Sequence, residues 1–274
     1  MPLLLDLYEL FDIRSTFFFT GYIAKKLPKV VLLASQRGHE VASHGLSHKK
    51  EHGFDVLDYK DQKYHLSESK KILEDIVGKE VICFRAPALR VNGYTASALA
   101  ETGYRIDSSV ASQRFDLFMS FGLKNKIKWF AAPRLPYITA KDSLMKRGDG
   151  PIVEVPLSAC VFPYVGTTMR IFPLISKIVR NLLMMENSIN NKPIVFDIHP
   201  NEFIDESGKE RMIEKRSSSF LEYFFADFLR SKLKAKNLGL AAARLFQNEL
   251  SFFKEKKYRA VTVREYCKET GLLK

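Results

Sequence analysis

Cysteine is scarce in this chain of 274 residues, with three in all. Cys83, Cys160 and Cys267 lie far apart and are odd in number. That excludes a disulfide framework and a CxxC metal site. No uninterrupted run of about 18 apolar residues occurs, so a membrane-spanning helix is not expected. The opening Met1-Pro-Leu-Leu-Leu-Asp6 has no basic lead and meets an acid too early for a signal peptide. Taken as the true start, it points to the cytoplasm. Internal repeats and low-complexity linkers are absent, and no nucleic-acid-binding module is visible, so a nucleic-acid partner is not expected.

What is present suits one globular α/β domain over 1–274. The hydrophobic fraction is 46% and the net charge is +12, which argues against disorder. Lysine and arginine recur in Lys124–Arg147, Lys209–Arg216 and Lys232–Lys257 rather than in one tail. Such charge serves solvated helix faces or peripheral attraction to an anionic surface.

Apolar periodicity alternates between strand and helix. Residues 2–11 read as a helix with Pro2 in the first turn and Leu3, Leu4, Leu7 and Leu10 on one side. Ser15–Phe19 reads as a buried strand and about 23–37 as a helix despite Pro28. His39–Ala42 is the next strand, about 58–77 an amphipathic helix closed by Gly78, and Val81–Phe84 a strand. A helix over 94–102 and a strand over Tyr104–Ile106 follow. About 108–150 shows no clear period and is expected to be a long loop excursion, commonly the wall or lid of a cleft. Ile152–Pro156 and Ile194–Ile198 read as strands, about 170–186 as a helix, and about 215–254 as a helical region broken near Asn237-Leu-Gly239. A strand over Arg259–Val263 and a final helix close the chain. Strands too apolar to face water, alternating with helices, indicate a parallel sheet or barrel.

Reactive residues recur where these strands end. His44 and His48 lie in Ala42-Ser-His-Gly-Leu-Ser-His48, Arg85 in Phe84-Arg-Ala-Pro87, Asp107 in Asp107-Ser-Ser109, and His199 before Pro200. In α/β barrels the C-terminal ends of parallel strands form the rim that carries the chemistry. If the segment after the strand turns helically, His44 and His48 share a face and can bind one divalent ion. Imidazole suits zinc, and also cobalt, nickel or iron; the alternative is a structural pair. Ser43 and Ser47 fit a turn that orients them. A catalytic ion normally has three protein ligands, and His39, His52 and His65 are expected to face solvent instead. His199 suits a general acid or a core-edge histidine bonded to backbone. Arg85 would hold a carboxylate through its planar fork. Asp107 is either functional or a turn cap.

In this order, the clusters resemble the NodB-homology polysaccharide deacetylases of carbohydrate esterase family 4. Thr16-Phe-Phe-Phe-Thr-Gly21 is similar to that family's second strand, His44 and His48 to its metal-binding pair, and Arg85-Ala-Pro87 to its arginine motif. Asp107 resembles the aspartate that follows, His199 the general-acid histidine, and Tyr258–Val263 the closing strand. His199-Pro-Asn-Glu202, with the other motifs, looks like the branch found in exopolysaccharide gene clusters. The resemblance covers about 3–205 and 255–270. It implies a distorted (β/α)7-8 barrel that hydrolyses N-acetyl groups of an acetylated amino-sugar polymer with a divalent metal, Zn2+ first and Co2+ or Ni2+ as alternatives. His199 would protonate the leaving amine, Asp107 would orient a partner, and Pro87 and Asp197 would face the substrate.

Two departures set the limits of that expectation. The family carries an Asp-Asp pair, base and third ligand, on a first strand that precedes Pro2 here, so the chain is expected to lack that strand and pair. Asp6, in mid-helix, and Asp12, at the opposite rim, do not replace them. Asp197 stands where the family has an apolar residue, either in an internal ion pair or as a surrogate carboxylate near the metal. The competing readings are a catalytically inactive glycan-binding barrel and an amidohydrolase of the same fold on a small non-sugar amide.

Overall fold

The computed structural model describes residues 1–113, 129, 131–205, 233 and 235–273. Contacts divide the chain into two compact units. One is built from Met1–Phe11, Gln113–Phe130 and Ser158–Tyr258, the other from Asp12–Ser112, Ala131–Leu157 and Arg259–Lys274.

The second unit holds the main sheet. Its strands are β1 (Thr16–Phe19), β2 (Glu40–Ser43), β3 (Cys83–Phe84), β4 (Ile106–Asp107), β5 (Tyr137–Ala140), β6 (Ser143–Arg147) and β7 (Val153–Glu154). Their order across the sheet is β1-β2-β3-β4-β7-β5-β6. β1 to β4 and β7 run parallel, while β5 runs antiparallel to both β7 and β6. Phe17, Val41, Cys83, Phe84 and Ile106 are buried on these strands, as parallel strands covered by helices must be.

Helices α2 (Gly21–Lys26), α3 (Pro28–Gln36), α4 (Tyr59–Val77) and α5 (Thr95–Glu101) connect the parallel strands. Where one helix was expected through Pro28, there are two. Proline lacks the N–H that a continuous helix needs, so it opens α3 at the first turn. Asp58 caps α4 by accepting the Asp61 N–H at 2.8 Å, and Gly78 ends it in a left-handed conformation. The buried face of α4 carries Gln62, His65, Leu66, Ser69, Ile72 and Leu73, a repeat that keeps one side on the core.

The other unit begins with α1 (Pro2–Leu10). Its buried side is Leu4, Leu5, Leu7 and Tyr8, whereas Leu3 and Leu10 are exposed, so the buried stripe is rotated from the expected one. A short antiparallel pair, β8 (Ala159–Cys160) and β9 (Phe162–Pro163), precedes α6 (Gly166–Ile171) and α7 (Pro173–Asn190). The core of this unit includes Tyr164, Val179 and Leu183, against which Phe196 and Phe253 pack. Helix α8 (Leu240–Glu255) starts just after Gly239, where the break was expected; the expected helical stretch from 215 to 232 lies outside the described residues.

Three expectations give way. Within the expected loop 108–150, residues 137–147 form the β5–β6 hairpin, while 114–128 and 130 lie outside the described residues. Ile194–Ile198 is not a ladder strand and contributes a single parallel bridge, Val165 to Asp197. Arg259–Val263 is not a strand either: Thr262 caps α9 (Val263–Glu269). No described helix is long and apolar enough to cross a membrane.

Candidate functional site

The parallel strands of the second unit end side by side, and their C-terminal residues carry the polar groups. Ser43 pairs in register with Phe84, and Phe84 with Asp107. The residues after these positions, His44, Arg85 and Ser108, therefore leave the sheet at neighbouring points.

His44 and His48 come together, with ring centroids 4.7 Å apart and planes tilted by 60°. The helical turn expected to bring this about does not form. Instead Gly45 takes a left-handed φ of 68° and turns the chain. A side chain there would be strained in conformation and would stand 3.0 Å from the Phe54 ring. Ser43 Oγ accepts the Gly45 N–H at 3.2 Å, and the Gly45 carbonyl accepts from Gly21 N at 2.9 Å. The loop is thus fixed on both sides. His44 Nδ1 lies 2.5 Å from the Arg85 carbonyl. A carbonyl can only accept, so Nδ1 carries the hydrogen and Nε2 the lone pair that a metal would take.

The side chain of Arg85 is buried. Its Nε donates to the Ser108 carbonyl at 3.0 Å and its Nη2 to Ser108 Oγ at 2.9 Å, with the guanidinium 4.2 Å from the centre of the Phe18 ring. Ser108 Oγ in turn donates to the Val155 carbonyl at 2.7 Å. Asp107 is fully buried and accepts from Ser109 Oγ at 2.6 Å and Ser109 N at 3.2 Å. The cap that Asp-Ser-Ser suggests is therefore formed, and it holds the carboxylate still. Pro87 is buried and opens a short 3₁₀ turn in which Ala88 and Leu89 take φ of 52° and 56°. Two successive left-handed residues without glycine are strain stored beside the arginine motif.

One residue of this cluster was not picked out from the sequence. Glu154 lies beside Asp107 in the register of β4 and β7 and is equally buried. Its Oε1 accepts the Val110 N–H at 3.0 Å, while Oε2 is buried outside ordinary hydrogen-bond geometry to any described atom. Burial raises both carboxyl groups above the usual range, and the neighbouring Asp107 pushes Glu154 further. Two adjacent buried carboxylates cannot both ionise cheaply, which favours the protonated form of Glu154. The signal was an acid inside the apolar run Ile152-Val-Glu-Val155.

The other histidines depart from expectation. His39 and His65 are buried rather than solvent-facing. His39 Nδ1 accepts the Ser15 N–H at 3.2 Å, and burial, then Arg37, lowers its pKa. His65 belongs to the core face of α4, and burial, then His52, lowers its pKa. His52 is half-buried, stacked edge-on against His65, with its Nδ1 2.6 Å from Ser47 Oγ.

His199 and Asp197 belong to the first unit. His199 does not follow a ladder strand; it caps the 3₁₀ turn Pro200–Phe203, and its side chain is 58% exposed. Asp197 is half-buried, and its carbonyl accepts from Gly166 N at 2.8 Å. Asp6 lies within α1 and Asp12 in a left-handed turn after it. Among the described residues, no group of three His, Cys, Asp or Glu side chains is arranged to hold a metal ion. His44 and His48 fit two positions of such a site, through imidazoles brought together and a fixed tautomer.

The family model for polysaccharide deacetylase matches residues 1–106. A peptidoglycan deacetylase of Helicobacter pylori is 25% identical over 115 residues, which is 42% of this chain and 38% of its own length. A peptidoglycan-N-acetylglucosamine deacetylase of Bacillus cereus is 28% identical over 106 residues, 38% of this chain and 47% of its own. The chain thus spans less than half the length of these curated relatives. Among solved structures, a candidate polysaccharide deacetylase of Mycobacterium smegmatis superposes with a TM-score of 0.53 at 22% identity, over 72% of this chain and 62% of that one. That likeness is one of fold, the distorted (β/α) barrel with an unclosed sheet. The stretch matched by the polysaccharide deacetylase family model, residues 1–106, carries His44, His48 and Arg85.

Proposed function

We propose that this protein is a divalent-metal-dependent hydrolase that removes N-acetyl groups from an amino-sugar polymer. The observation that carries the reading is the His44–His48 pair at the end of β2, with His44 held by the Arg85 carbonyl, inside the family match. The names of the two relatives point to peptidoglycan as the first polymer to try. A net charge of +12 fits an anionic glycan or surface.

In this reading His44 and His48 hold the ion, zinc first and cobalt or nickel as alternatives. When bound, it would polarise the acetamide carbonyl and acidify water. The residues of the chain do the rest. Arg85 and Asp107 fix the rim: the guanidinium locks Ser108 in place, while its backbone carbonyl orients His44. Pro87 and Asp197 are assigned to the substrate. His199 delivers a proton to the departing amine, since an amide anion is too basic to leave unprotonated.

The test measures acetate release from N-acetylated peptidoglycan and chito-oligosaccharides, with metal content, on protein isolated from its host. His44→Ala and His48→Ala are expected to lose the ion; one metal per chain in either variant would sink the ligand assignment. His199→Ala is expected to keep the ion and lose about 10²–10⁴-fold in turnover. An unchanged rate would remove His199 from the mechanism. Glycan binding without stoichiometric metal or acetate release would replace the whole reading with that of a non-catalytic binding protein.

A further inference from the structure

Glu202 is a buried acid, 5% exposed at its side chain, placed three residues after His199 by the Pro200–Phe203 turn. The Glu202 N–H donates to the His199 carbonyl at 2.9 Å, which closes the turn and sets the two side chains on one side. Glu202 Oε1 lies 3.6 Å from His199 Nδ1, within reach of an ion pair though not of a hydrogen bond.

The carboxylate is held from behind. Arg170 Nε donates to Oε2 at 2.8 Å, and Thr167 Oγ1 lies 3.2 Å from Oε1. Arg170 is itself fixed, with Nη1 donating to the Lys236 carbonyl at 2.6 Å and its own carbonyl accepting from Asn237 Nδ2 at 2.7 Å. The Lys236 ammonium donates to the Ile171 carbonyl at 3.1 Å. Even the backbone makes room. A Cβ at Gly166 would stand 2.5 Å from Glu202 Oε2 and 2.8 Å from Ile198 Cγ1. Any side chain there would displace the carboxylate. A buried acid with one oxygen neutralised by arginine and the other turned to an exposed histidine is more than a structural ion pair.

We propose that Glu202 is a positioning residue for His199, orienting the ring so that Nδ1 faces the protein and Nε2 faces outward as the proton-transferring atom. This rests on the general-acid assignment above. The contact is long in this structure, and catalytic contacts commonly tighten when substrate binds. Glu202 on its own turn faces His199, Arg170 of α6 stands on the far oxygen of that carboxylate, and Asp197 lies two residues before His199 in the chain. Arg170, donating to Oε2, offsets part of the Glu202 charge.

The test titrates the His199 ring by ¹⁵N–¹H NMR, assigned with His199→Ala, in the full chain and in Glu202→Gln. The expected result is a downward shift of the His199 midpoint by about one unit and loss of the Nδ1–H tautomer preference. The alkaline limb of kcat/KM should move down with it, while KM changes little. Unmoved titration and tautomer in a folded Glu202→Gln would overturn the proposal. Because Glu202→Gln also breaks a buried pair with Arg170, Thr167→Val serves as a second variant. It removes a hydroxyl from Oε1 and should move the midpoint upward; a downward shift would overturn the proposal. A shifted midpoint with unaltered turnover would uphold the pairing and refute the general-acid assignment instead, so the two failures are distinct.

Discussion

At the scale of single residues, the Asp107–Glu154 pair makes the most direct prediction. Both carboxyl groups are raised by burial, Glu154 the more because Asp107 faces it. A group whose folded pKa exceeds its unfolded value gives stability that is full below the unfolded pKa and is lost as pH rises through the folded one. Unfolding free energy should therefore fall from about pH 4 upward, by about 1.4 kcal/mol per pH unit for each proton retained. Glu154→Gln keeps a neutral group against the Val110 N–H and should flatten that slope, as read from urea midpoints across pH. A slope identical to that of the unaltered protein would show that Glu154 is ionised. His44, Arg85 and Asp107 were legible because short motifs at strand ends marked them. Glu154 was not, because one acid in an apolar run has no motif; only its pairing with Asp107 across β4 and β7 gives it meaning. His65 was misjudged for a similar reason. Its place on the core face of α4 decides its burial, and a lone histidine does not announce that.

At the scale of elements, the C-terminal segment shows two local signals in competition. Val261 and Val263 alternate as in a strand, but Thr262-Val-Arg-Glu265 is also a capping box, and the box wins. Thr262 Oγ1 accepts from Glu265 N at 3.1 Å, and the Glu265 carboxylate accepts from Thr262 N at 3.0 Å. The neighbouring strands reinforce the choice: Val263 N donates to Thr16 Oγ1 at 2.8 Å and Arg264 N to Glu40 Oε2 at 3.1 Å. A β-strand would leave those acceptors without these donors. Thr262→Ala should cost about 1 kcal/mol, measured as a lower urea midpoint with unchanged slope; a neutral result would mean the β1 and β2 contacts alone start α9. The hairpin within 137–147 was missed because its turn, Lys141-Asp142, lacks the Asn-Gly signature that marks two-residue hairpins. The helices were easier to read: Asp58, Gly78 and Pro28 each act through backbone chemistry that needs no tertiary partner.

At the scale of the molecule, the chain passes repeatedly between two units. Met1–Phe11 folds with Ser158–Tyr258, while Asp12–Ser112 folds with Ala131–Leu157 and Arg259–Lys274. No composition shift or linker marks these crossings, so periodicity along the chain could not reveal them. The division makes the proposed metal site testable through stability. A ligand that binds only the folded state stabilises by about 2.7 kcal/mol at a hundredfold excess over its Kd. For a unit of this size that amounts to a rise of roughly 5–10 °C in the unfolding midpoint. Both His44 and His48 lie in Asp12–Ser112, so zinc should raise the calorimetric transition of that unit and a chelator should reverse the effect. If the units unfold in separate transitions, only one should move. His44→Ala and His48→Ala should each abolish the rise, because removing one imidazole from the pair leaves too few fixed donors to favour the folded state. An equal rise in both variants would place the ion elsewhere and remove the observation on which the deacetylase reading stands.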